Sequence, residues 1–170
     1  DPDIKYWEGY STYAISKEAQ HYMEENVNKE NPFLLFVSIA TPHFPHQTAP
    51  KEYMEMYTPD KLTLEANVTD NMQEWALKEL QGYYAHCTAT DKAIGEIIEK
   101  AKELGIYDNS IIVFTSDHGE MMGSKGGMTK GIPLEEAIAI PLIVRWPGRI
   151  SAGTERSMAM DSSALAPSLL

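Results

Sequence analysis

The sequence predicts an α/β fold of mostly parallel strands with flanking helices, and three stretches carry that expectation. Ile111 to Phe114 is a short apolar run, β-branched at three of four positions, that passes into Asp117-His118-Gly119-Glu120; it is too short for a helix and reads as a strand. Phe33 to Ile39 is a second such run and empties into Ala40-Thr41-Pro42-His43-Phe44-Pro45-His46. Between them, Asn71 to Leu104 carries Trp75, Leu80, Tyr83 or Tyr84, Cys87, Ala93 or Ile94, Ile97 or Ile98 and Ala101 at helical spacing. Strand, helix, strand predicts a parallel pair with a right-handed crossover. Both strands then end on one sheet edge, where open α/β sheets hold their ligands. On this reading His43 and His46 share a rim with Asp117 and His118.

The remaining elements follow in order. Residues 11 to 27 read as an amphipathic helix with Ser11 as N-cap and Ile15, Ala19, Tyr22 or Met23 and Val27 on one face. Asn28 to Pro32 breaks it, because proline cannot continue a helix. Glu52 to Tyr57 is a short helix, and Thr58 to Asp70 a polar loop. The long helix is one piece or two with a break near Gly82, closed by Gly105. After the glycine-rich stretch Met121 to Lys130, Pro133 to Ala137 makes a turn of helix and Ile138 to Val144 a third strand. Ser157 to Met160 is a short strand, and Asp161 or Ser162 caps a final helix. No repeat or linker divides residues 1–170, which read as a single domain. The opening Asp1-Pro2-Asp3, without methionine, and the apolar close Ala164 to Leu170 suggest a piece of something longer. That leaves localisation open, since a leader could precede it.

A net charge of −11 argues against nucleic acid and anionic membrane surfaces as partners. No apolar run approaches the roughly 18 residues of a membrane span. The one cysteine, Cys87, excludes an internal disulfide and sits mid-helix among aromatics, as core rather than nucleophile. Asp117 and His118 can supply a carboxylate and an imidazole nitrogen to a divalent cation. Two ligands do not fill a shell of about six to eight, so others must come from elsewhere. His43 and His46 are candidate ligands, acid–base groups or substrate contacts. Lys130 offers an ammonium to an anionic substrate. The glycine-rich stretch has neither nucleotide-binding pattern, G-x-x-x-x-G-K-[ST] or G-x-G-x-x-G.

Taken together, the sequence resembles the sulfatase family of the alkaline phosphatase superfamily. The likeness rests on Gly9-Tyr10-Ser11-Thr12, Pro32-Phe33-Leu34-Leu35-Phe36 leading to Pro42-His43-Phe44-Pro45-His46, and Tyr83-Tyr84-Ala85 with Asp91. It continues through Thr115-Ser116-Asp117-His118-Gly119-Glu120, Lys130-Gly131, and Pro141-Leu142-Ile143-Val144-Arg145-Trp146-Pro147-Gly148.

The resemblance implies a partial alkaline-phosphatase-like sheet, with residues 1–170 an internal or C-terminal part of a catalytic domain. It implies hydrolysis of a sulfate ester, on a sulfated small molecule or sugar. Asp117 and His118 would be ligands of an active-site calcium, with magnesium as the other candidate. Lys130 would contact sulfate and leaving oxygen, His43 would contact sulfate and protonate the leaving group, and His46 would be a second substrate-binding histidine. The family's nucleophile is a formylglycine made from Cys or Ser in a C/S-x-P/A-x-R motif. Cys87 begins Cys87-Thr88-Ala89-Thr90-Asp91, without the arginine. The nucleophile and the early pair of metal-binding aspartates are therefore expected outside these residues, and the segment alone is expected to be inactive. An incomplete sheet predicts an exposed edge and a homo-oligomer. A phosphodiesterase or phosphonate monoester hydrolase of the same superfamily, and a non-catalytic anion- or metal-binding module, remain the alternatives.

Overall fold

The structure is a computed structural model that describes residues 7–157 and 159–169. The opening Asp1-Pro2-Asp3, the closing Leu170, and Met158 within the expected Ser157 to Met160 strand lie outside the described residues. The chain divides into two compact units, one running to Asp108 and including Met122–Met128, the other formed by Asn109–Met121 and the residues from Thr129 onward.

The first unit is built on two helices, α1 (Ser11–Asn26) and α3 (Gln73–Glu103), with the short α2 (Lys51–Met54) between them in sequence. α3 is continuous through Gly82. Its buried face includes Leu80, Ala93 and Ala101 of the stripe expected above, but the positions buried completely are small side chains, Ala76, Ala85, Ala89 and Ala93. Small residues let backbones approach closely, and α1 answers with Thr12, Ser16, Ala19 and Met23. The Ser16 hydroxyl donates to the Ala93 carbonyl at 2.9 Å. Ser11 is the first helical residue of α1 rather than its cap, and Tyr10 holds the cap position. At the far end of α3, Gly105 takes φ +71° while Ile106 N–H donates to Ala101 O and Gly105 N–H to Lys102 O. This left-handed glycine termination satisfies carbonyls that the last helical turn leaves without partners.

Phe33 to Ile39 does not form a strand among the described residues. Exposure alternates along it as in an extended segment: Phe33, Leu35, Val37 and Ile39 are half-buried, whereas Leu34 and Phe36 are each 87% exposed. The alternation belongs to the extended backbone and not to the residue types, since all but Ser38 are apolar, and a ladder also needs a neighbour to supply hydrogen bonds.

The second unit contains the two strands found among the described residues, β1 (Ile112–Thr115) and β2 (Leu142–Arg145). They pair antiparallel, Ile112 opposite Arg145 through Thr115 opposite Leu142. The described ladder joins β1 to the third predicted strand, which returns after residues 116–141; the parallel partner expected from Phe33 to Ile39 forms no ladder among the described residues. The helical turn before it is α4 (Glu135–Ile138), which takes Ile138 from the expected strand. A last short helix, α5 (Leu165–Leu169), follows a turn in which Asp161 accepts from Ser163 N–H at 2.9 Å.

Two large apolar side chains standing out of one extended segment form an adhesive face. The isolated 170-residue chain is expected to self-associate, sedimenting above its 19.0 kDa monomer mass. Leu34→Lys combined with Phe36→Lys should shift it towards monomer; a monomeric profile for the unsubstituted chain would contradict this.

Candidate functional site

The sequence-predicted residues fall into two groups, one in each unit. In the first, residues 41–48 form a loop laid over α3. The Thr41–Pro42 and Phe44–Pro45 peptide bonds are cis. At its start the Thr41 hydroxyl lies 2.8 Å from that of Thr12 and 2.7 Å from that of Thr90, which joins α1, the loop and α3. Further on, Gln47 Nε2 donates to the Lys78 carbonyl at 2.9 Å. Between these anchors the two histidines part company. His43 is exposed, with Nδ1 2.7 Å from the Phe44 carbonyl. A carbonyl only accepts, so Nδ1 carries the hydrogen.

His46 is 3% exposed, and its Nδ1 lies 2.8 Å from Oε2 of Glu79, itself 6% exposed. Its ring meets Phe44 and Tyr83 edge-on, with centroids 5.9 and 5.6 Å away. His46 Nε2 is buried with no hydrogen-bond partner among the described residues. Gly82 makes the approach possible, since a Cβ there would run into the His46 carbonyl. Beside His43 opens a cavity of about 640 Å³, lined among others by Tyr10, Tyr13, Thr41, Phe44, Glu52 and His86.

His86 is buried, with Nδ1 2.6 Å from the Tyr10 hydroxyl. Burial holds its pKa below the ordinary imidazole value, partly opposed by the Pro45 backbone. The neutral Nδ1 therefore accepts from Tyr10, whose own pKa burial pushes up. Burial also lifts the Cys87 thiol to about 11, and Cys87 lines a separate cavity with Tyr57, Tyr84, Thr88 and Asp91.

In the second unit β1 ends in the turn that carries Asp117 and His118. Ser116 Oγ donates to the His118 carbonyl at 2.9 Å, and His118 N–H donates to Asp117 Oδ1 at 3.0 Å. His118 Nδ1 lies 2.7 Å from the Gly119 carbonyl, leaving Nε2 3.5 Å from Asp117 Oδ2. Gly119 is held against α4, its N–H donating to Ala137 O at 2.9 Å, and a Cβ there would strike the Glu136 carbonyl. The Asp117 side chain is 84% exposed. Burial is the largest single influence and opposes its ionisation, but the backbone hydrogen bonds to its carboxylate, the neighbouring His118 imidazole and the Ser116 hydroxyl together outweigh it and lower its pKa. Lys130 Nζ sits 4.0 Å from Oε2 of the buried Glu120. The backbone returns there through Met121 N–H to Thr129 O at 3.1 Å. Residues 122–128 pack with the first unit, where Gly123 faces Ala76 and Val68 and Lys125 N–H donates to Asn67 O.

The Asp117–His118 pair fits a divalent cation as far as it goes. One carboxylate and one imidazole nitrogen face each other, and the other ring nitrogen is fixed by a carbonyl, as metal-binding histidines usually are. No cluster of three or more such side chains occurs among the described residues. No helix of the described residues is long and apolar enough to cross a membrane.

Tyr10, Thr12, Thr41 and Thr90 stood out in the sequence only as members of longer stretches, whereas Glu79 and His86 did not stand out at all. Their signal was a carboxylate and an imidazole seven positions apart on the side of α3 that carries the buried alanines.

A family model described as Sulfatase matches residues 1–170. An ulvan-active sulfatase of Formosa agariphila is 46% identical over 150 residues, 87% of this chain and 29% of that protein. An endo-4-O-sulfatase of Bacteroides thetaiotaomicron is 34% identical over 135 residues, 75% of this chain and 26% of that protein. The solved structure of a Bacteroides fragilis protein assigned to the sulfatases superposes with a TM-score of 0.79 at 31% identity, covering 86% of this chain and 33% of that one. Residues 1–170 thus span about a third or less of the relatives they match.

Two reactivities follow from the buried groups. Iodoacetamide should modify Cys87 slowly up to pH 9 and faster only towards 11, because the thiolate is the reacting form; rapid labelling at pH 7.5 would contradict the burial. His86 is held neutral, so the folded state binds fewer protons than the unfolded chain. Stability is then full above the ordinary imidazole pKa of about 6.5 and falls as pH drops below it. Denaturant titrations at pH 7.5 and 5.5 should show this loss, and His86→Gln, which still accepts from Tyr10, should reduce it.

Proposed function

This chain belongs to the sulfatase family, and on that premise we propose that the intact protein hydrolyses sulfate esters of sugars or other small molecules. The observation that carries the reading is the Asp117–His118 pair at the mouth of β1, with Oδ2 and Nε2 3.5 Å apart. Asp117 and His118 would hold part of a calcium site, with magnesium as the other candidate. Such a cation supplies charge neutralisation to the sulfuryl oxygens. The other ligands and the formylglycine nucleophile are assigned to residues outside 1–170, because no C/S-x-P/A-x-R sequence occurs here.

The protein's own groups divide the remaining work. Lys130 supplies positive charge to the sulfate, and Glu120, 4.0 Å away, holds its ammonium in place. His43, with Nδ1 committed to the Phe44 carbonyl, works through Nε2. It contacts sulfate and delivers a proton to the departing alkoxide. The cavity of about 640 Å³ beside it, with aromatic rings and hydroxyls, suits a sugar.

The intact, matured protein should release sulfate from aryl sulfates and sulfated oligosaccharides and lose activity to a chelator. Residues 1–170 alone should not turn over. Asp117→Asn and Lys130→Met should each lower kcat about 100-fold or more. His43→Ala should slow esters of poorly acidic alcohols far more than nitrophenyl sulfate, since only the former need a proton. Full activity of Asp117→Asn, or preference for phosphonate over sulfate esters, would overturn the reading.

A further inference from the structure

Resting on that reading of His43, we infer that the buried His46–Glu79 pair is a positioning clamp that sets the direction of the His43 imidazole. His46 is the second histidine of the motif, but its ring is 3% exposed and bonded to a carboxylate of α3. Packing alone does not explain an imidazole here. The ring lies edge-on between Phe44 and Tyr83, surroundings that a phenylalanine would fill. Such a replacement would also avoid the buried Nε2 that has no partner among the described residues. What the imidazole adds is one directional bond, Nδ1 to Glu79 Oε2 at 2.8 Å.

That bond fixes the loop three residues beyond His43. The Thr41 hydroxyl, bound to Thr12 and Thr90, fixes it two residues before. The His46 backbone is seated on Gly82, so the loop cannot be lifted without parting backbone from helix. His43 is thus an exposed side chain on a backbone pinned on both sides. This is the arrangement a proton donor needs, because small errors in orientation cost large factors in rate. His46 and Glu79 act through His43 and are positioning residues.

The test uses the intact, matured enzyme and a double-mutant cycle. Replacing both partners, His46→Phe with Glu79→Leu, removes the bond without leaving a buried charge, so the fold should survive. Glu79→Gln keeps a hydrogen-bond acceptor and serves as the conservative variant. With an ester of a poorly acidic alcohol, the paired replacement should lower kcat about 10-fold or more, with little change in KM or melting temperature. Nitrophenyl sulfate should be nearly unaffected, and Glu79→Gln should retain most activity. In a His43→Ala background the paired replacement should cause no further loss.

An equal loss in both backgrounds, or on both leaving groups, would overturn the clamp and leave a general structural role. So would an unchanged kcat in the paired variant while His43→Ala alone is impaired. If His43→Ala itself has no leaving-group-dependent effect, the assignment of His43 fails and the clamp fails with it, a result distinct from the other two.

Discussion

How closely α3 lets a loop approach its surface governs the arrangement of the first unit. At Gly82 the helix presents no Cβ, and the His46 carbonyl occupies the space a side chain would need. The buried alanines above and below keep the same face thin, so α1 can also sit close. Close approach brings polar groups out of water, and each must find a partner or carry a desolvation cost of about 1–3 kcal/mol. The hydroxyls of Thr12, Thr41 and Thr90, the Ser16–Ala93 bond, the Tyr10–His86 pair and the His46–Glu79 pair answer that requirement. The polar interior of this unit is a consequence of its small-residue helix face.

The same constraint explains what could be read in the sequence. Helix positions were legible, because apolar spacing, Pro32 and Gly105 act locally. The inward face of α3 was legible only in part: Leu80, Ala93 and Ala101 are buried as expected, but the same rule picks Trp75, Tyr83 or Tyr84 and Ile97 or Ile98, which are not, and passes over the buried Ala76, Glu79, Gly82, Ala85, His86 and Ala89. Period alone does not distinguish a face buried by bulk from one buried by proximity. The β1 run and the polar residues after it were legible as strand and turn. Its partner was not, because parallel and antiparallel ladders ask the same of four β-branched and aromatic residues. The Phe33 to Ile39 run was expected to be a strand, but a strand exists only when another strand is beside it, and none pairs with this run among the described residues.

Asp117, His118, Lys130 and His43 were picked out by their order along the chain and by the family resemblance, and the roles given to them belong to the proposal above. The structure adds their local partners, and these separate residues that the motif treats alike. His43 and His46 are three positions apart with the same chemistry, yet one faces solvent and the other a buried carboxylate. The difference lies in α3, more than thirty positions downstream in sequence, and no local pattern encodes it.

The two groups of site residues are also held in physically different ways. His43 belongs to a loop fixed by direct bonds to two helices, so its geometry is set before anything binds. Asp117 is fixed only through its own turn and is 84% exposed, with its charge supported by backbone N–H groups and a neighbouring imidazole. An exposed carboxylate surrenders little hydration when a cation arrives, which favours binding, but it also gains little from a low dielectric. One carboxylate and one imidazole therefore cannot hold a hard divalent ion tightly, whatever their spacing. Tight binding requires further oxygen ligands that enclose the ion and exclude water.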